Sequence, residues 1–354
     1  MEASGTRAAL DSRSICVLFL IDVPHYCFMT DEISEEKLET ALHKALFWGS
    51  VSIVFLTVVI VFLQRSAIEL ALSWENIQWG WLFLGWLCMC SALIALGKRW
   101  QVLLHEYAID NQFLTAALLT ALLLNYAIPG PFGEVAAAWF VHKRYQIPLE
   151  KGLVTGTAAR LIGLATAAVG VLLVWSQVDV SKDIEMLLYT VVVGVGIGFG
   201  VLVVLMFVPV TWRMQLQKKS ESSGVFSLLY RFSEAFQALR IPRIFFRSAG
   251  WSVIGHLLAG LGVWMSIFAV YGAQNEVGVG FSYLMGTCIG AVAFLFPGAQ
   301  LTWDASLALL LTSTTGLSPV DAGVMTAILR MEQIVMMLLG AVALVWIQAR
   351  LRSR

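Results

Sequence analysis

The chain has 354 residues, of which 59% are hydrophobic and only 13% are charged, whereas soluble domains carry about a quarter charged residues. Its 23 basic and 23 acidic residues cancel to a formal net charge of zero. This composition excludes a soluble enzyme, a nucleic-acid-binding protein and a secreted disulfide scaffold, and it predicts an all-α polytopic membrane protein.

The chain begins with a segment, residues 1–44, that we expect to form a cytoplasmic arm. Its apolar run at 15–21 is too short for a signal peptide, and acidic residues follow it; Met29 is a second candidate start. Beyond it, apolar stretches are long enough to cross about 30 Å of hydrocarbon at about 1.5 Å per residue. We predict six full crossings, at residues 45–63, 79–97, 153–175, 186–210, 249–271 and 322–348.

Two further apolar segments, 113–141 and 279–311, are interrupted by proline and glycine. Proline lacks an amide hydrogen and glycine permits a tight reversal, so each segment is expected to enter the membrane and return. The residues expected to form these two re-entrant hairpins are Pro129, Gly130, Pro131 and Gly133 in the first and Pro297 and Gly298 in the second.

Basic residues mark the cytoplasmic side of short loops in multi-pass proteins. Nineteen of the 23 lie in the N-terminal arm, at Lys98–Arg99, around 143–151, in the segment 211–248 and in the tail 349–354. The other loops hold only Arg65 and Lys182. We therefore expect both termini to be cytoplasmic, the first hairpin to enter from the cytoplasm and the second from outside, in a cytoplasmic (inner) membrane.

The segment 211–248 joins two membrane repeats, 45–210 and 249–348. Apolar residues recur within it at helical spacing between basic ones, which is typical of an amphipathic helix on the membrane surface. We expect it to contact anionic lipid headgroups. A spacer without such contacts is the alternative interpretation.

The two broken segments share a spaced set of charged residues. Glu134 follows the first hairpin break and Arg160 lies 26 residues later, and Asp304 precedes Arg330 by the same 26 residues after the second break. Because the two segments are expected to enter from opposite faces, this spacing predicts an inverted-topology repeat, an architecture that holds substrate sites near the bilayer midplane.

Charged side chains in hydrocarbon are costly and normally pair with each other or line a wet cavity. Guanidinium groups also bind phosphate through two parallel hydrogen bonds. We predict that an anionic headgroup binds at Arg160, Arg330, Glu134, Asp304 and Asn125, the acids neutralising the arginines in the empty site. The alternative is that the two acid–arginine pairs only clamp the hairpins to neighbouring helices.

Two other polar residues lie in predicted crossings. His256 is expected to be a satisfied buried imidazole rather than a proton relay. Glu332 lies about 200° around the helix from Arg330, so we expect it to face elsewhere, without an obvious partner.

The residues Asn125–Glu134 (NYAIPGPFGE), Ile147-Pro148 and Ala159-Arg160 resemble a signature of the lysylphosphatidylglycerol synthase transmembrane region, a flippase-like family. The second half is similar through Pro297-Gly298, Asp304, Gly316–Pro319 and Arg330. The resemblance covers roughly residues 45–348. This sequence departs from the family at Ala299–Asp304, where a Gly-rich stretch with Glu is usual.

The resemblance implies a lipid translocase that moves a phospholipid, a polyprenyl-linked lipid or a hopanoid-type lipid between leaflets. It assigns the functional positions to Glu134, Arg160, Asp304 and Arg330. We expect no enzyme activity, cofactor, metal or nucleic-acid partner; homodimer formation is left open. The alternative function is secondary transport of a small soluble anion, and an intramembrane enzyme is a third hypothesis.

Overall fold

The structure is a computed structural model, and it describes residues 77–127, 132–207, 240–293 and 299–352, with the isolated positions 212, 218 and 230. The predicted arm 1–44, the crossing 45–63, most of the segment 211–248 and the Pro-Gly breaks at 129–131 and 297–298 lie outside these residues. The described residues form nine helices and no strand: α1 (Trp79–Leu103), α2 (Asn111–Ala127), α3 (Phe132–Tyr145), α4 (Leu149–Trp175), α5 (Lys182–Met206), α6 (Pro242–Tyr271), α7 (Glu276–Ala293), α8 (Ala299–Thr315) and α9 (Pro319–Arg352).

Five of these helices are long and apolar enough to cross a membrane, namely α1, α4, α5, α6 and α9. They coincide with five of the six predicted crossings, and the sixth falls in 45–63. The prediction of an all-α multi-pass membrane protein is confirmed.

Several described helices extend beyond the predicted crossings. Helix α1 continues to Leu103, so Lys98 and Arg99 belong to a membrane helix rather than to a loop. Helix α6 begins at Pro242, inside the predicted linker, because proline is well suited to the first turn of a helix. Helix α9 extends to Arg352 and takes in most of the predicted tail.

Local sequence signals fix several helix ends. Ser318 caps α9, since its hydroxyl accepts a hydrogen bond from the amide of Asp321 at 3.2 Å and donates to the Asp321 carboxylate at 2.6 Å. Gly272 ends α6 with φ of 74° and Gly316 turns the chain between α8 and α9 with φ of 77°. Both values lie in the left-handed region that favours glycine.

Helices α1 and α6 form an antiparallel pair that packs through small residues. A Cβ built on Gly85 would lie 2.8 Å from the carbonyl oxygen of Gly262, and a Cβ on Gly262 would lie 2.7 Å from that of Gly85. Only glycine allows backbones to approach this closely, and such contacts are the usual means of helix association in lipid.

The two halves of the helix bundle pack in reciprocal fashion. In each half, a long helix is followed by two shorter helices that pack on each other and then by an arginine-bearing helix: α1, α2–α3, α4 and then α6, α7–α8, α9. Helix α2 packs on α9 of the other half, and α7 packs on α4. The paired short helices are thus each enclosed by both halves.

Candidate functional site

Glu134 and Arg160 form the first of two ion pairs that the sequence spacing brings together. Glu134 lies in the first turn of α3 and Arg160 lies on α4, eleven residues after its first residue (160 − 149). A guanidinium nitrogen of Arg160 donates to Oε1 of Glu134. The two side chains are 36% and 32% exposed, so this pair is accessible from outside the helix packing.

Asn125 and Gly133 hold Glu134 in place. The Asn125 side-chain oxygen accepts a hydrogen bond from the Gly133 amide at 2.8 Å, and its amide group donates to Glu134 Oε1 at 3.3 Å. Gly133 sits so close to α2 that a Cβ there would lie 2.1 Å from the carbonyl oxygen of Ala121. The predicted hairpin glycine is therefore needed for close helix approach, and Asn125 bridges α2, the start of α3 and the carboxylate.

The second ion pair joins Asp304 of α8 to Arg330 of α9. Nε of Arg330 donates to Oδ2 of Asp304 at 2.7 Å and lies equally near to Oδ1. Arg330 also lies eleven residues after the first residue of its helix (330 − 319). Its Nη1 donates to Gln333 at 3.0 Å, and the guanidinium lies 5.7 Å from the ring centre of Trp303. This pair is less exposed than the first, at 20% and 21%.

Oε2 of Glu134 forms no hydrogen bond within the described part of the chain, whereas Oδ1 of Asp304 has only its 2.7 Å ion-pair contact with Nε of Arg330. The five predicted site residues thus form two groups, one of Asn125, Glu134 and Arg160 and one of Asp304 and Arg330. Each group presents a charge-balanced arginine–carboxylate pair whose guanidinium can exchange its carboxylate for another anion.

Glycines on either side of Arg160 lie at helix contacts. A Cβ built on Gly156 would lie 3.9 Å from the indole of Trp100, and one on Gly170 would lie 2.9 Å from Leu284 of α7. Trp100 Nε1 in turn donates to Thr155 at 3.1 Å. Through these contacts α4 packs between α1 and α7, which fixes the position of Arg160 along the helix bundle.

His256 is a satisfied imidazole, as predicted, since its Nε2 lies 2.9 Å from the carbonyl oxygen of Gly163. Glu332 does have a partner, contrary to the prediction: Ser266 of α6 donates to it at 2.8 Å, and the residue is only 7% exposed. A helical wheel places Glu332 on a different face of α9 from Arg330, but it cannot show that α6 packs against that face. The described residues contain no cluster of three or more metal-binding side chains.

Sequence reasoning missed one basic residue beside the site. The charge pattern places Arg99 in a loop, yet its guanidinium lies against α4, where a Cβ on Gly163 would be 2.2 Å from Nη1. Gly163 follows Arg160 by three residues on the same helix, so Arg99 reaches α4 about one turn from Arg160. In the sequence, only the absence of a side chain at Gly163, one turn beyond Arg160, indicates that a side chain from another helix contacts α4 at this position.

One family model, described as the lysylphosphatidylglycerol synthase TM region, matches residues 47–341 of this chain. No curated protein and no solved structure matches it. The match covers both ion pairs and every described membrane helix at least in part.

Proposed function

Since this chain belongs to the lysylphosphatidylglycerol synthase transmembrane-region family, whose members are lipid-related membrane proteins, we propose that it is a lipid translocase. It moves a lipid with a phosphate-containing headgroup between the leaflets of the cytoplasmic membrane. The observation that carries this proposal is the two partly exposed arginine–carboxylate contacts, each placed eleven residues into a long helix, α4 or α9, and each formed with a short helix.

The headgroup phosphate binds by exchange at the arginines. Guanidinium groups form parallel hydrogen bonds with phosphate as readily as with carboxylate, so a phosphate displaces Glu134 from Arg160 or Asp304 from Arg330. The carboxylates keep the arginines neutralised when no lipid is bound, which lowers the cost of holding a cation within the membrane. When the lipid leaves, the carboxylate returns to its arginine and helps release the phosphate.

The reciprocal packing of the two halves supports an inverted-topology repeat with two re-entrant hairpins. In this arrangement α2–α3 enters from the cytoplasm and α7–α8 from the opposite face, in agreement with the distribution of basic residues. The acyl or isoprenoid chain stays in the bilayer while the headgroup passes from one ion pair to the other. No covalent step is required, and the sequence has no Gly-x-x-x-x-Gly-Lys-Ser/Thr nucleotide-binding loop.

A leaflet-accessibility assay tests this function. The full chain is reconstituted into phosphatidylcholine vesicles that contain a trace of headgroup-labelled or chain-labelled phosphatidylglycerol, and a membrane-impermeant quencher reports the outer leaflet. Wild-type protein is expected to expose inner-leaflet lipid, whereas Arg160→Ala and Arg330→Ala are expected to slow this by at least tenfold. Arg243→Ala, which removes an exposed arginine of α6, is the matched control and should behave as wild type.

The same vesicles separate the competing functions. Uptake of labelled inorganic phosphate without movement of lipid supports the soluble-anion transporter, and chemically altered lipid after incubation supports an intramembrane enzyme. Equal lipid movement in wild type and both arginine variants contradicts the roles assigned to Arg160 and Arg330.

A further inference from the structure

Arg99 is a partly buried cation that lies between helices. Its Nε is buried and has no hydrogen-bond partner in the described part of the chain. Its Nη1 lies 3.5 Å from the hydroxyl of Ser252 on α6, a contact at the limit of hydrogen bonding. The same nitrogen lies against the backbone of α4 at Gly163, so the guanidinium sits in the angle between α1, α4 and α6.

The surroundings of Arg99 do not neutralise it. Among the described residues it forms no ion pair, and it touches α4 at Gly163, three residues after Arg160, which carries the same sign. Glu134, the acid of this region, is already engaged by Arg160 and Asn125. Among the described residues, two guanidinium groups and one carboxylate leave a local charge of +1. A charge largely shielded from water normally has a counterion, so the described part of this region lacks one negative charge.

The second ion pair shows no such excess. A spacing of 170 residues relates Glu134 to Asp304 and Arg160 to Arg330, and the same spacing from Arg99 reaches Ala269, which is buried and apolar. The two halves therefore differ at this position: Asp304 and Arg330 are balanced, while the first half carries an additional cation.

Side chains of α6 and α7 contact each other and α4 near Gly163, where Arg99 lies. His256 binds the Gly163 carbonyl through Nε2 at 2.9 Å, and its ring lies 6.3 Å, between centroids, from that of Tyr283 on α7. These contacts hold α6 and α7 against the segment of α4 that Arg99 touches. Ser252 donates its single hydroxyl hydrogen to the Ser248 carbonyl at 3.1 Å, and its oxygen accepts from the Arg99 guanidinium.

We propose that Arg99 and Arg160 together bind one phosphate group, with Arg99 as a binding residue of the site. This inference rests on the proposed function for the identity of the substrate as a lipid, but the shared chemistry is a phosphate anion, from a headgroup or free in solution. The phosphate supplies the negative charge that this region lacks, and Arg99 keeps it there when Glu134 is displaced.

Binding to the purified full chain tests this directly. Wild-type protein in a phosphate-free maltoside detergent is titrated by calorimetry with short-chain phosphatidylglycerol and, separately, with inorganic phosphate. Arg99→Gln is expected to weaken binding by about tenfold or more, because a hydrogen bond between two charged groups is lost. Lys98→Gln removes one charge from the preceding residue, whose side chain bonds to Gln101, and should leave binding unchanged.

A second variant, Gly163→Ala, keeps the test valid if Arg99→Gln does not fold. In Gly163→Ala the added methyl group occupies the place of Arg99 Nη1 and displaces the guanidinium, while alanine favours the helix. It is expected to weaken phosphate binding as well, with an unchanged helical spectrum and elution volume. The proposal is overturned if both Arg99→Gln and Gly163→Ala bind phosphate with wild-type affinity. If Arg99→Gln does not fold, wild-type affinity in Gly163→Ala alone overturns it. It is also overturned if the wild-type protein binds neither probe.

The two titrations, with phosphatidylglycerol and with inorganic phosphate, and the vesicle assay together distinguish the possible results. Binding of both probes identifies phosphate itself as the ligand, and binding of the lipid alone identifies the headgroup with its glycerol. Phosphate binding that depends on Arg99 without lipid movement supports this site and contradicts the translocase. Lipid movement at the wild-type rate in Arg99→Gln contradicts this site and leaves the translocase in place.

Discussion

Replacing Gly133 by alanine should loosen the packing of α2 on α3 and the support of Glu134. The new Cβ would lie 2.1 Å from the Ala121 carbonyl oxygen and 2.5 Å from Oδ1 of Asn125, and a backbone carbonyl of a packed helix cannot rotate away. Such overpacking costs up to about 3 kcal/mol, and losing the Gly133–Asn125 hydrogen bond costs about 1 kcal/mol. Alanine returns at most about 1 kcal/mol of helix propensity. We expect a net loss of about 3 kcal/mol.

Gly323→Ala is the matched control. Gly323 lies within α9 and a Cβ there meets no atom within 4 Å, so this variant should be unchanged or more stable by up to about 1 kcal/mol. Both free energies of unfolding are measured in mixed micelles by titration with dodecyl sulfate, followed by tryptophan fluorescence. A Gly133→Ala protein as stable as Gly323→Ala would refute the close packing of α2 on α3 and the role of Asn125 as its bridge.

Other contacts give effects of different size. A double-mutant cycle with Asp304→Asn and Arg330→Gln should show a coupling of about 1–3 kcal/mol in the same unfolding assay, because this pair is mostly enclosed; additive losses would contradict the ion pair. Ser266→Ala should cost about 1–3 kcal/mol, because it removes the hydrogen bond to buried Glu332; the Ser266→Ala/Glu332→Gln double variant should lose less than the sum. Lys151→Gln should change stability by less than about 1 kcal/mol, since its acidic partner is 47% exposed; a larger loss would show that this pair is shielded from water.

The sequence was sufficient for features that repeat along the chain. Hydropathy and length located the five described crossings, because a helix needs about 20 apolar residues to span the hydrocarbon. The equal spacing from Glu134 to Arg160 and from Asp304 to Arg330 predicted both ion pairs, since each acid and its arginine belong to adjacent helices joined by a short turn.

Features that depend on distant helices could not be predicted. Ser266 meets Glu332 across 66 residues, and Arg99 reaches Gly163 because α1 crosses α4, which no local pattern indicates. Charge counting placed Arg99 in a loop because basic residues usually mark the membrane surface. Its position next to Arg160 depends on the glycine at Gly163, whose role becomes clear only when the helices are assembled.

The measurement that tests the central claim most directly is lipid movement by a charge-exchanged second pair, Asp304→Arg with Arg330→Asp. The exchange retains an ion pair between α8 and α9 but moves the arginine from the long helix to the hairpin. If the arginines bind phosphate, the exchanged protein recovers much of the stability lost by either single variant, while lipid movement in the vesicle assay stays at least tenfold below wild type. Recovery of both stability and lipid movement would contradict the account, because it would show that the pair serves only to clamp the hairpin.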